Sequence, residues 1–471
     1  MMKIALLSIL SLLLGTAAPV HSAEATAAGR WAGAIEILGQ RLDIVVRLAD
    51  ATGGGMSATI DIPAQGAKDL PLTNVRREGS RIHFELPAGP GLAVFEGTLE
   101  GNRISGDFSQ AGMAGRFNLE RKPEEVTAPA PPLPYSEVEV TFMSGGVRLA
   151  GTLTLPPGSG AYPAVVLLTG SGAQNRDEEI FGFKPFRILA DHLTRQGIAV
   201  LRYDDRGVGG SSGSLAQATL ETLAGDALAA VGFLRAHARI QPTAVGLLGH
   251  SEGGLVAAIS AARSPRSPEI AFLVFLATPG VRGDRVVSSQ VEAMQKLAGR
   301  SQEEIARTLV LQEKFYRAVR TGQGWEDVES EILSQIAQLP EEQRKAVGDP
   351  KAYVAAQKAA GDSSMYRDFL DFDPATVLRQ VRLPVLSIFG ELDLQVLADL
   401  NREAMVRALE EGRNRNVTVR TFPGANHLFQ KAITGSPGEY PMLAKEFVPG
   451  LPDLIADWIL EQRPTVGRVP D

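Results

Sequence analysis

The 471-residue sequence contains no cysteine and only six histidines. The first absence excludes disulfides, thiolate metal sites, a cysteine nucleophile and a lipid-attachment cysteine in one step. The second leaves His21, His83, His192, His237, His250 and His427 as the whole supply of imidazole bases. Past the N-terminal stretch no apolar run is long enough to cross a bilayer. Nor is charge of one sign in excess: 47 Lys and Arg face 54 Asp and Glu, a net charge of −7. With no long basic run, the chain has no electrostatic footprint for nucleic acid or for an anionic membrane surface.

The first residues supply what the rest lacks. "MMKIALLSILSLLLGTAAPVHSAEA" begins with Lys3, continues through an apolar stretch from Ile4 to Leu14, and ends in an Ala23-Glu24-Ala25 cleavage pattern. A positive start, an apolar segment too short for a span and small residues at the cut make a secretory signal peptide, residues 1–25. The expectation is an exported protein, periplasmic or secreted, with no integral span after the leader is removed. Without disulfides, such a protein must hold itself together by burial.

The remaining length calls for more than one folding unit. Residues 29–121 alternate apolar and polar positions in short stretches such as "RLDIVVRLA", "RIHFELP" and "RFNLER", broken by Gly, Pro and Asn turns. That pattern predicts antiparallel strands in a small all-β barrel or sandwich, with Trp31 plugging its core. "KPEEVTAPAPPLPY", residues 122–135, carries five prolines and reads as a stiff linker. From residue 136 a hairpin pattern leads into near-continuous apolar runs, "AVVLLTG", "IAVLRYDD", "AVGLLGHS", "AFLVFLATPG" and "PVLSIFGELD". Helical patterns separate them, so this part is α/β, a mostly parallel sheet with helices on both faces. The rhythm stops between about 280 and 375, where only helical patterns occur. A piece of that size is an insertion, expected to cap the site.

Chemistry concentrates in the second region. The spacing Gly-x-Ser-x-Gly occurs twice, at Gly249–Gly253 around Ser251 and at Gly209–Gly213 around Ser211. Ser211 sits in a polar glycine-rich loop and is expected to be structural. Ser251 follows an apolar strand and precedes the small-residue helix "LVAAISAA", the setting of a nucleophile elbow. A serine hydroxyl needs a base. Of the histidines only His427, in the loop "FPGANHLF", follows Ser251. His250 adjoins the nucleophile, where the elbow turns the two side chains apart. His192 and His237 fall in predicted helices.

The acid that orients the base should follow a buried strand between them. "FGELDLQV" offers Asp393, with Glu391 as its neighbouring rival. Oxyanion donors are expected from the backbone N–H of Glu252 and, in the turn "TGSGAQ", of Ser171. The Glu252 side chain either lines a pocket or is solvated. Asp205 and Arg206 are expected to pair and brace the loop "RYDDRGVGGSSG".

In the order "TGSG", "DDRGVGGSSG", "GHSEGG", "GELD" and "GANHLF", residues 136–463 resemble a serine α/β-hydrolase. Within that superfamily the chain is similar to bacterial carboxylesterases with an N-terminal β-domain, and to dienelactone hydrolase, acyl-CoA thioesterase and serine aminopeptidase relatives. The resemblance implies Ser251, Asp393 and His427 as a triad, no metal or organic cofactor, and a small-molecule ester as substrate. Thr169 stands where many relatives have histidine, which leaves a backbone donor intact. The alternatives are an exported serine peptidase on the same triad and a non-catalytic envelope- or carbohydrate-binding protein. Acidic cap residues such as Glu303, Glu304 and Glu313 fit helix-face spacing better than an amine anchor. Export disfavours acyl-CoA as a substrate.

Overall fold

A computed structural model describes residues 26–462, apart from 38–39, 51–54, 64–66, 88–91, 111–112, 124–131, 217, 264–268, 340, 342–343, 345–346 and 348. The signal-peptide reading, residues 1–25, and most of the proline-rich segment lie outside the described residues. The chain divides into two compact units, the first ending at Glu125.

The first unit is a closed barrel of eight antiparallel strands, β1–β8, running from Gly29–Ile37 to Met113–Lys122, with β1 also pairing β8. Alternation does what it should in Arg81–Leu86, where Ile82, Phe84 and Leu86 are buried and their neighbours are not. Eight strands enclose a space that side chains can fill. Here it is filled by aromatics: Phe84 stacks on Phe95 at 4.6 Å between centroids, and Phe117 meets both edge-on. Trp31 is fully buried, and its Nε1 donates to the Ala27 carbonyl at 2.8 Å. Strands Ala67–Glu78 and Arg103–Gln110 carry too many polar residues and glycines for alternation alone to mark them.

The second unit holds an eight-stranded sheet in the order β16-β15-β14-β13-β11-β12-β10-β9. Its strands are β9 (Ser136–Ser144), β10 (Val147–Leu155), β11 (Tyr162–Leu168), β12 (Ala199–Tyr203), β13 (Ile240–His250), β14 (Leu273–Leu276), β15 (Val385–Gly390) and β16 (Val417–Phe422). β9 and β10 form the antiparallel hairpin, and from β12 to β16 neighbours run parallel. The apolar runs are buried on both faces because helices cover both. One layer is α1 (Pro185–Arg195), which places Phe186 and Leu189 beside Val165 and Val274. The opposite layer includes α2 (Leu220–Arg235) and α3 (Glu252–Arg263), whose Ala227, Val231 and Val256 join Val166 and Phe275. This strand order with its crossing helices is the α/β-hydrolase arrangement expected from the sequence.

Among its described residues the insertion holds helices and no strand: α4 (Gly283–Leu297), α5 (Gln302–Thr321), α6 (Trp325–Gln338), α7 (Pro350–Gly361) and α8 (Ser364–Asp371). At the start of α2 Thr219 caps the Thr222 N–H, and Asp368 of α8 accepts from the backbone N–H of Leu220 at 2.8 Å. Among the described residues no helix is long and apolar enough to cross a membrane.

Candidate active site

Ser251 stands between the last residue of β13 and the first of α3 with φ +52°, a conformation that costs a non-glycine residue about 1–3 kcal/mol. Its N–H donates to the Leu276 carbonyl of β14 at 2.7 Å, which ties the strained residue to the sheet. The flanking glycines are required by space. A Cβ at Gly249 would lie 2.2 Å from the Gly253 carbonyl carbon, and one at Gly253 the same distance from the Leu168 carbonyl oxygen. The serine therefore projects from the end of a parallel strand at a helix N-terminus, where the helix dipole favours a developing anion.

His427 enters from the loop after β16. Asn426, fully buried, shapes that loop by accepting from the N–H groups of Leu428 at 3.0 Å and Gln430 at 2.9 Å. His427 Nδ1 lies 2.8 Å from Asp393 Oδ2. The other oxygen of Asp393 accepts from Gln395 and Val396 N–H, both at 2.8 Å, so the carboxylate is fixed from two sides. Glu391, the rival acid, instead accepts from Gly424 N–H at 2.8 Å and closes the turn after β16. Ser251 and His427 both line one cavity of about 600 Å³.

The turn after β11 forms a wall of that cavity with Thr169, Gly170, Ser171 and Gly172. The loop after β12 props it from behind. Here one expectation fails: Asp205 and Arg206 do not pair. Arg206 reaches Asp226 on α2 through two bonds of 2.6 Å. Asp205 accepts from Thr169 Oγ1 at 3.0 Å and from Gln174 N–H at 2.9 Å. The two side chains leave the loop after β12 toward different neighbours, so the bracing runs to both. Asp204 completes it by binding the Arg176 guanidinium at 2.7 and 3.0 Å. Ser211 is structural: its hydroxyl donates to the Asp204 carbonyl at 2.7 Å and accepts from Ala150 N–H at 2.9 Å.

Glu252 is buried and lines the cavity rather than being solvated, and among the described residues no hydrogen-bond partner meets its carboxyl group. Burial pushes its pKa up to about 7, with Asp205 and Asp368 adding in the same direction. Burial likewise raises Asp205 to about 7, against the bonds from Gln174 and Thr169. The rest of the lining is largely apolar, with Val286, Val287, Met365, Tyr366 and Phe369 supplied by the insertion. No lysine or arginine is among the lining residues. Among the described residues no group of three or more His, Asp or Glu side chains is placed to hold a metal.

Sequence reasoning missed Glu178. This buried residue, at φ +51°, accepts from Gly170 N–H at 2.6 Å through Oε1 and places the same atom 2.8 Å from His250 Nδ1. Three acids in a row, "DEE", gave no signal as to which one turns inward.

Known proteins place this chain in context. Esterase EstD of Thermotoga maritima is 29% identical over 318 residues, 67% of this chain and 66% of the relative, so the chain spans slightly less than two thirds of that relative's length. An esterase from Pyrococcus furiosus aligns in structure over 72% of this chain and 96% of its own, with TM-score 0.43 and 16% identity. A proline iminopeptidase of Mycobacterium smegmatis aligns over 69% and 98%, with TM-score 0.41 and 19% identity. The family described as "Serine aminopeptidase, S33" matches residues 184–431, more than half the chain and a span that holds Ser251, Asp393 and His427. The chain belongs to that family of α/β-hydrolases.

Proposed function

We propose that this protein hydrolyses carboxylic esters through an acyl-enzyme formed on Ser251. His427 takes the serine proton as the hydroxyl attacks the carbonyl carbon, and Asp393 holds the imidazole and balances its charge. The tetrahedral oxyanion is met by the backbone N–H groups of Glu252 and Ser171. His427 then returns the proton to the departing alcohol. In the second half it draws a proton from water as the water attacks the acyl carbon, then passes that proton to the Ser251 oxygen as the acid leaves.

The observation that carries this reading is the pairing of Asp393 Oδ2 with His427 Nδ1 at 2.8 Å, in a site whose cavity is lined by both His427 and the strained Ser251. The esterase relative supports the choice of ester. The proposal includes export by way of the leader, checked by the N-terminus of the mature protein.

The test joins a fluorophosphonate probe with turnover of short- and long-chain aryl esters. Labelling and turnover are expected from the intact protein, and both should vanish in Ser251→Ala. An intact protein that neither labels nor turns over would leave a binding role instead.

A second reading, release of N-terminal residues from peptides, draws on one feature. The unpartnered Glu252 carboxyl and Asp205 give the cavity wall acceptors for a substrate ammonium, and no fixed cation opposes them. Aminoacyl arylamides tested beside the esters separate the two.

A further inference from the structure

His250 is buried immediately before the nucleophile, and the ester mechanism does not use it. Both of its ring nitrogens face acceptors. Nε2 lies 3.0 Å from the His427 carbonyl oxygen, an atom with no proton to give. Nδ1 lies 2.8 Å from Glu178 Oε1, an atom already accepting the Gly170 N–H. An imidazole that donates from both nitrogens is the cation. The surroundings keep that charge paired, since Glu178 and His250 back onto an apolar crevice lined by Phe186, Leu276, Phe429 and Phe447.

We propose that His250 is a permanently protonated imidazolium locked between Glu178 and the His427 carbonyl, and that this buried ion pair is the positioning centre of the site. Through Glu178 it fixes the Gly170 amide and with it the turn that carries Ser171. Through its own Nε2 it fixes the backbone of His427. One carboxylate and one imidazolium thus set the oxyanion wall and the base together, although these lie more than 250 residues apart in sequence.

The pair also has a direction. Its anionic end lies on the Nδ1 side, while its cationic end faces His427, with ring centroids 4.7 Å apart. The base thus sits between the His250 ring on one side and the Asp393 carboxylate on the other. Beyond its partner Glu178, the charged group acting on His250 is Asp393. Burial works against the charge on His250, but Glu178, the His427 carbonyl and Asp393 together raise its pKa.

The proposal rests on the ester reading for its catalytic consequence, but not for its central claim. Long-range ¹H–¹⁵N correlation spectra of the intact protein, with the His250 signals assigned against His250→Gln, read the protonation state without any turnover. Protons on both His250 nitrogens at pH 8 are expected, and a singly protonated ring at that pH overturns the proposal. In Glu178→Gln, which keeps an acceptor but removes the charge, His250 should show one ring proton at pH 8. Retention of both would overturn the role given to Glu178. The second arm is steady-state hydrolysis of p-nitrophenyl acetate by His250→Gln and Glu178→Gln. In both, kcat should fall more than tenfold while KM changes little. An unchanged kcat, or a loss confined to KM, would reduce His250 to packing. If the intact protein does not hydrolyse the ester, the function reading falls, and the spectra still decide the charge.

Discussion

The barrel interior and the carboxyl edge of the parallel sheet exclude water to a similar degree and fill themselves with opposite materials. In the barrel the large buried side chains are Trp31, Phe84, Phe95 and Phe117, and the one polar atom among them, Trp31 Nε1, is met by a carbonyl. Among the described residues Asp61 is the barrel's single buried charged side chain, and it pairs with Arg47 at 2.7 Å. At the sheet edge Glu178, Asp205, His250, Glu252, Asp393 and His427 are all buried and all ionisable. Apolar contact stabilises wherever it is made, whereas buried ionisable groups stabilise only where each is met by a partner. A fold that gathers them at one edge spends stability there, and Glu252, buried on the cavity wall, is the clearest case.

The sharpest way to break this comparison is Asp393→Asn. It keeps the shape of the site and loses the charge beside His427, so kcat should fall about 10⁴-fold, about 5.5 kcal/mol of barrier, with Tm nearly unchanged. Steady-state turnover of an aryl ester and a melting curve decide it, and a fall in Tm without the loss in kcat would make Asp393 part of the scaffold. In the barrel the matching change is Trp31→Ala, which should cost about 3–5 kcal/mol of local stability. Amide hydrogen exchange across the eight strands reads that cost, and exchange altered only beside residue 31 would mean the interior tolerates the void.

Glycines sharpen the contrast at smaller scale. Gly253→Ala drives a Cβ to 2.2 Å from the Leu168 carbonyl oxygen and should cost about 3 kcal/mol together with most of the activity. Gly101, in a barrel turn at φ +59°, has nothing within 4 Å of the added atom. Gly101→Ala should therefore cost only the backbone penalty, about 1–2 kcal/mol. Equal losses in denaturant titrations of the two variants would dissolve the distinction between crowding and conformation.

The smallest effect is one of pH. Glu252 has its pKa raised in the folded protein from 4.5 to about 7, so the folded state holds a proton that the unfolded state releases between those values. That contribution to stability is lost as pH rises from about 4.5 through about 7. Glu252→Gln removes the group. Its Tm should exceed that of the parent at pH 8 and match it at pH 4, and an excess of the same size at both would place the effect outside titration.

The elements that pack on both faces were the legible ones. Apolar runs such as "AVVLLTG" and "PVLSIFGELD" leave no other way to be buried. The elbow was readable because only glycine fits beside Ser251, and His427 because a single histidine follows it. Two features were not. Arg206 binding Asp226 depends on which way consecutive side chains leave a loop, which spacing does not encode. Glu178 depends on one residue adopting φ +51° within a run of three acids, and nothing local separates it from its neighbours. In the barrel, Ala67–Glu78 escaped notice because a strand with polar side chains along most of its length does not alternate visibly.

The backbone at position 251 carries a further implication for anyone engineering this chain. Glycine is the residue that relaxes a φ of +52°, and glycine has no hydroxyl. The most comfortable occupant of that position is therefore an inert one, and selection for heat resistance alone would drift toward silence. A library screened by melting temperature without an activity gate should be expected to admit glycine at position 251, and with it the loss of the proposed nucleophile.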